Sequence, residues 1–238
     1  MMMGVTNCLW ERVYVTLRDD SDNSECYLYN NLFFGGTVYY RFRGAPTALW
    51  AYDNLFDRPT ISRGSGSENF TGDYSGYVSN KYSLATGAND VVMTNNPVYQ
   101  TSWLGRYYYP TNDSNLSRLI NAGSRWATNV ALYHFTTSTN QVKEANTKVD
   151  IGFHYVAVDP STGLPLDTDG DGLPDYLEDK NGDGGFNAGD IADWHYADTD
   201  GDGLSDGLEV IQGRNPLVVG TSADTSGTIK LNVFTPLK

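Results

Sequence analysis

Fourteen of the chain's 29 acidic residues lie between Asp167 and Glu209, a stretch whose only basic residue is Lys180. Numbered from Asp167, acids occupy positions one, three and five: Asp167, Asp169 and Asp171. Position six is Gly172, where the chain must turn sharply, and position seven, Leu173, offers a backbone carbonyl. Asp175 follows at position nine and Glu178 at position twelve, long enough to bind with both oxygens. Like charges at such spacing repel unless a cation lies among them. Six hard oxygen donors in this frame describe a calcium loop. Magnesium wants fewer protein oxygens, and zinc would want histidine and cysteine, of which only His195 is near.

The frame recurs from Asp198, through Asp200, Asp202, Gly203, Leu204, Asp206 and Glu209. Between these two lies a poorer copy: Asp179, Asn181, Asp183, Gly184, Gly185, Asn187 and Asp190. Asparagine is neutral and Asp190 is short, so this middle loop is expected to bind calcium more weakly. A solvated acidic linker would not need glycine at position six and leucine at position seven in both full copies.

Pro160, Gly163 and Pro165 exclude a helix entering the first loop. Short helices are expected after the first and third, over "DYLED" and "SDGLEVIQ", the second stopped by Gly213 and Pro216. Tandem loops with an exiting helix only resemble thrombospondin type 3 repeats and, more loosely, dockerin half-hands. The resemblance covers residues 167–215 and departs from the animal repeats in lacking cysteine. It implies a calcium-filled, extracellular spacer held by metal alone.

The rest of the chain must carry this segment. It balances 15 acids against 15 bases and is rich in tyrosine, glycine and small polar residues, a composition that favours strands and turns. Leu9, Leu32 and Leu55 stand 23 residues apart, as do Trp10, Phe33 and Phe56. Val15, Val38 and Ile61 follow six positions after each leucine, and Asn7, Asn30 and Asp53 precede it by two. A fourth, fainter copy sets Val78 and Leu84 in the leucine and valine columns. This period is that of a solenoid, with the leucines expected to point inward in one column and the valines in a second.

The repeat resembles a right-handed parallel β-helix, in which asparagines at equivalent turns stack in ladders that Asn30 or Asn31 and Asn54 would join. "SRLINAGSRW" from Ser117 and "VDIGFHYVAV" from Val149 are similar to the paired phrases that end bacterial β-helix proteins, with Asn121 in place of the usual aspartate. The fold class is thus mainly β: the last turns of a β-helix and its closing element over 1–158, calcium repeats with short helices over 159–215, and a C-terminal tail, a further strand, over 216–238. A solenoid starting near its last turns, without a leader, reads as part of a longer exported chain. The aromatic run with Trp103, Tyr107, Tyr108 and Tyr109 is expected to pack the last turns, with a sugar platform as the alternative.

Nucleic acid is excluded as a partner by the lack of a basic patch. No apolar run spans a membrane. Cys8 and Cys26 are consistent with one disulfide or two thiols. The functional expectation is a secreted or cell-surface structural or adhesive protein binding calcium and a surface glycan or protein, without catalysis. The alternative is a β-helix polysaccharide lyase or glycoside hydrolase, drawing on Arg41, Arg43, Arg58, Arg63, Asp53 and Asp57. His134 and His154, in apolar strands, are expected to be core residues.

Overall fold

The computed structural model describes residues 2–19, 25–42, 48–64, 70–78 and 87–220, and it is mainly β with two short α-helices. The first circuit of the chain lays down β1 (Met2–Thr6), β2 (Leu9–Glu11) and β3 (Tyr14–Asp19). The second repeats it with β4 (Glu25–Tyr29), β5 (Leu32–Phe34) and β6 (Thr37–Phe42). The third supplies β7 (Ala48–Tyr52), β8 (Leu55–Asp57) and β9 (Thr60–Arg63). A partial fourth adds β10 (Phe70–Asp73) and β11 (Gly76–Val78), and β12 (Val91–Met93) extends one sheet further. Equivalent strands pair in parallel, giving sheets β1-β4-β7-β10, β12-β11-β8-β5-β2 and β3-β6-β9.

The 23-residue period is the register itself. Leu9 pairs with Leu32 and Leu32 with Leu55, while Val15, Val38 and Ile61 align likewise. Each circuit bends between its first two strands at Asn7, Asn30 and Asp53, in the left-handed region at φ 50°, 52° and 61°. Asparagine and aspartate tolerate that conformation better than other side-chain-bearing residues. The next residues form the ladder: Asn31 Nδ2 donates to Asn54 Oδ1 at 2.9 Å, and Asn31 Oδ1 accepts from the Cys8 amide at 3.0 Å.

The valine column lies in the interior as expected, and the leucine column does not. The interior between the sheets holds Phe33, Phe56 and Tyr77 with Val15, Val38, Leu28 and Leu49. Leu32 and Leu55 are equally buried, but in a second core with Leu116, Leu119, Ile151 and Tyr109. Successive strand residues point to opposite faces, so the aromatic beside each leucine takes the interior. Rings stack there in file, with Phe33 5.0 Å from Phe56 and Phe56 5.3 Å from Tyr77. The fourth copy is also displaced: Gly76, not Val78, pairs with Leu55, and Tyr77 continues the aromatic file. That circuit is two residues short, and a Cβ at position 76 would lie 2.8 Å from Leu55 Cδ1 and 3.2 Å from Leu119 Cδ2. Leu84 lies outside the described residues, as do Arg43 and 221–238, where the tail strand was expected.

The second core is closed by the two phrases expected at the end of the body, which lie across its flank. Ile151 packs at Gly76, the Gly152 amide donates to the Asp53 carbonyl at 2.9 Å, and the His154 amide donates to Asn7 Oδ1 at 2.7 Å. Ser124 Oγ donates to Asp53 Oδ2 at 2.9 Å, and Arg125 reaches Asp53 at 3.0 Å and Asn30 at 2.8 Å. The strap is completed by short pairs, β13 (Gln100–Ser102) with β14 (Gly105–Tyr108) and β15 (Phe135–Thr136) with β16 (Tyr155–Val156). Tyr107, Tyr108 and Tyr109 are buried beneath it, with Tyr109 Oη donating to the Ile151 carbonyl at 2.7 Å. Trp103 remains half exposed. Both cysteines are free thiols, and burial pushes the Cys26 thiol up to about 12.

The strap carries a buried ionisable cluster. Asp150 accepts from the Asn121 amide at 2.7 Å and from the Thr137 hydroxyl, and His154 Nε2 lies 3.1 Å from Glu144 Oε1. Burial, with Glu144 adding to it, pushes the Asp150 carboxyl up to about 7. Burial opposes the His154 imidazolium, yet Glu144, Asp150 and Asp53 together hold its pKa above the ordinary value. Both groups therefore bind protons more tightly folded than unfolded, and their stabilisation is lost as pH rises. Amide exchange in 121–125 and 149–152, corrected for intrinsic rate, is expected to speed up between pH 5 and 7.5. Asp150→Asn should flatten that dependence.

Candidate metal centre

The first loop folds by turning its amides onto its own carboxylates. Asp167 accepts from Gly170 at 2.8 Å and Gly172 at 3.0 Å, Asp169 from Asp171 at 3.2 Å, and Asp171 from Leu173 at 2.7 Å. The third loop repeats this at Asp198, Asp200 and Asp202, with distances of 2.8–3.0 Å. Glycine is required at position four as well as six, since Gly170, Gly172, Gly201 and Gly203 all have φ between 76° and 95°. The alternation of aspartate and glycine in "DTDGDG" already carried that signal. In each loop the three aspartates bring ligand oxygens within 4.8 Å of one another.

Helix α1 (Asp175–Glu178) and helix α2 (Asp206–Gln212) then carry the position-twelve glutamates, which feel the charges of these triads. Glu178 and Glu209 are fully buried, and none of their four carboxylate oxygens has a hydrogen-bond partner. Asp169 Oδ2 and Asp200 Oδ2 are likewise buried and bare. Burial, then the charges of Asp169, Asp171, Asp175 and Asp206, pushes Glu178 up to about 9. Burial followed by Asp200 and Asp202 raises Glu209, whose nearest cationic atom is Arg214 Nε at 3.5 Å. Asp169 is pushed up to about 6, again chiefly by burial. Buried carboxylates normally have partners. A cation is the partner these oxygens could hold, and the oxygen-only donor set fits calcium.

Position nine does another job. Asp175 accepts from the Thr168 amide at 2.7 Å and its hydroxyl at 2.8 Å, and Asp206 does the same to Thr199 at 2.9 and 2.6 Å. Both carboxylates thereby close their loops. The two sites also touch, because Asp171 Oδ2 accepts from the Gly207 amide at the start of α2. A Cβ at position 207 would lie 2.6 Å from the Asp171 carbonyl oxygen. Gly207→Ala is therefore expected to weaken calcium binding at the first loop, although it lies in the third, in a calorimetric titration. Binding unchanged by that substitution would show that the loops act separately.

The middle loop shares the skeleton, with Gly184 donating to Asp179 at 2.7 Å, Asp183 to Asn181 at 2.9 Å and Gly185 to Asp183 at 2.8 Å. Its side chains are turned to one another and to the body. His134 Nε2 lies 2.9 Å from Asp179 Oδ2, while Lys143 Nζ lies 3.9 Å from Asp175 Oδ2 of the first loop. His134, expected as a core residue, is buried but polar in role. Burial and then Lys143 lower its pKa against the pull of Asp179 and Asp175, and a carboxylate can only accept, so Nε2 is the donor in this contact.

The carboxylates proposed for catalysis are structurally engaged. Asp53 is bound by Ser124 and Arg125, and the fully buried Asp57 pairs with Arg58 at 2.6 Å.

Residues 167–182 and 198–218 match the family model of the bacterial TSP3 repeat. No curated protein and no solved structure matches the chain. The repeat segment thus resembles calcium-binding modules of the thrombospondin type 3 kind, in the two loops whose glutamates are bare. No helix among the described residues is long and apolar enough to cross a membrane.

Proposed function

We propose that the chain is a calcium-binding extracellular structural or adhesive protein. Residues 1–158 form a right-handed parallel β-helix body, and residues 159–215 a calcium-stiffened segment beside it. The observation that carries this reading is the pair of buried glutamates, Glu178 and Glu209, whose four oxygens are bare and which feel the charges of two aspartate triads. In the first site Asp167, Asp169, Asp171, the Leu173 carbonyl and Glu178 would hold the ion; in the second Asp198, Asp200, Asp202, the Leu204 carbonyl and Glu209. Asp175 and Asp206 would act through water, as position nine often does. Calcium supplies charge neutralisation here, and the carboxylates and the loop amides hold the geometry around it.

Extracellular modules of this type bind calcium at about 10⁻⁴–10⁻³ M, so they fill outside a cell and stay largely empty in cytosol. That supports a secreted or cell-surface location. A glycan or protein at the cell surface is the proposed partner. The test is calorimetric titration with calcium at millimolar concentration. Heat of binding that Glu178→Gln and Glu209→Gln each diminish is expected; no uptake at all would end the reading.

A further inference from the structure

We infer that the middle loop, Asp179–Asp190, takes no ion and is the latch that docks the calcium segment onto the body. This rests on the calcium reading of the two flanking loops and goes beyond it. Sequence alone treats the middle loop as a weak third site.

The difference begins at position twelve. The oxygens of Glu178 and Glu209 are bare, whereas both oxygens of Asp190 are taken by loop amides, Asn181 at 3.4 Å and Asn187 at 2.8 Å. Across the would-be cavity Asn181 Nδ2 donates to Asn187 Oδ1 at 2.8 Å, and Asn187 Nδ2 donates to Asp183 Oδ2 at 2.8 Å. The amide side chains thus bind one another and the aspartate where an ion would sit. None of the loop's side-chain oxygens is buried without a partner. Asp179 Oδ2 meets the His134 imidazole of the body at 2.9 Å. Each of the loop's three carboxylates has protein donors, so no metal ion is required.

The outer face of the loop is built for contact. A Cβ at Gly170, Gly172, Gly201 or Gly203 would meet nothing within 4 Å. At Gly182 it would lie 2.6 Å from the Ala131 backbone, and at Gly184 2.2 Å from the Tyr133 ring. Here the same two glycines serve close approach as well as the turn. The Tyr133 amide donates to the Gly182 carbonyl at 3.2 Å. Trp194 completes the contact, edge-on to His134 at 5.1 Å and beneath Lys143 Nζ at 4.4 Å. The family match also stops at residue 182 and resumes at 198.

Native mass spectrometry of the full chain in calcium tests the first half. Two bound ions are expected, and Asp183→Asn should leave both; three ions would overturn the inference while keeping the calcium reading. No ions at all would remove that reading and the inference with it. For the docking, Gly184→Ala sets a methyl against Tyr133 and should speed amide exchange in 131–135 several-fold with two ions retained. His134→Ala, which adds no bulk, should act in the same direction. Unchanged exchange in both variants would overturn the latch.

Discussion

Chelating calcium should strip amide protection from Asp167–Leu173 and Asp198–Leu204 while β1 to β9 keep theirs. Those two loops bury Glu178 and Glu209 with no partner among the described residues beyond Arg214. Without a counter-ion, each glutamate must either take up a proton or swing out to water. Burial raises both pKa values, Glu178 to about 9, so keeping that carboxyl buried without an ion at neutral pH means keeping it protonated far above its ordinary range, a cost that swinging out to water avoids. With an ion bound, the position-twelve side chain would tie each helix to its loop, so its exposure is expected to loosen the loop. Hydrogen exchange with and without a chelator at pH 7.5 reads this directly. Loops that keep their protection in the chelator would show that the acidic segment needs no metal.

Leu32→Ala should destabilise the body by about 2–5 kcal/mol, the cost of a buried leucine that leaves a cavity. Leu32 is 1% exposed and is held between Leu9 and Leu55 in neighbouring strands. The loss is expected on the strap side, since its core partners include Leu119 and Ile151. Phe33→Ala, one residue on, should cost about 3–5 kcal/mol and act on the interior instead. Thermal or denaturant unfolding gives the magnitudes. Exchange at 119–122 and 149–152 separates the two, accelerating for Leu32→Ala more than for Phe33→Ala. Equal effects there would mean the two cores are one.

The register of the body was legible in the sequence because identical spacing of leucine, aromatic and valine columns has few other causes. Which column faced inward was not, since an apolar residue on either face of a sheet reads alike until its cover is known. That cover comes from Leu119 and Ile151, more than 80 residues downstream of Leu32. In the repeats the ligand frame was legible through aspartates and glycines at fixed positions. Two roles there were not read: His134 at Asp179, which depends on a tertiary partner, and position nine closing its own loop through threonine. "DTDGDGLPD" and "DTDGDGLSD" carry that threonine twice in the same place. Its pairing with an aspartate seven residues on is the one further signal available.

Stacked repeats whose neighbours meet only neighbours unravel from their ends, one layer at a time. The segment from Ile151 to His154 forbids that here, because it is riveted to the bends of several layers at once: at Gly76, at Asp53 and at Asn7. Peeling away the first layer would first have to tear His154 from Asn7. Loosening the strap at any one rivet weakens its hold on the others. Such a body should not fray under a steady pull or a protease nibbling at its margin. It should stay whole until the strap lifts, and then come apart in a single step.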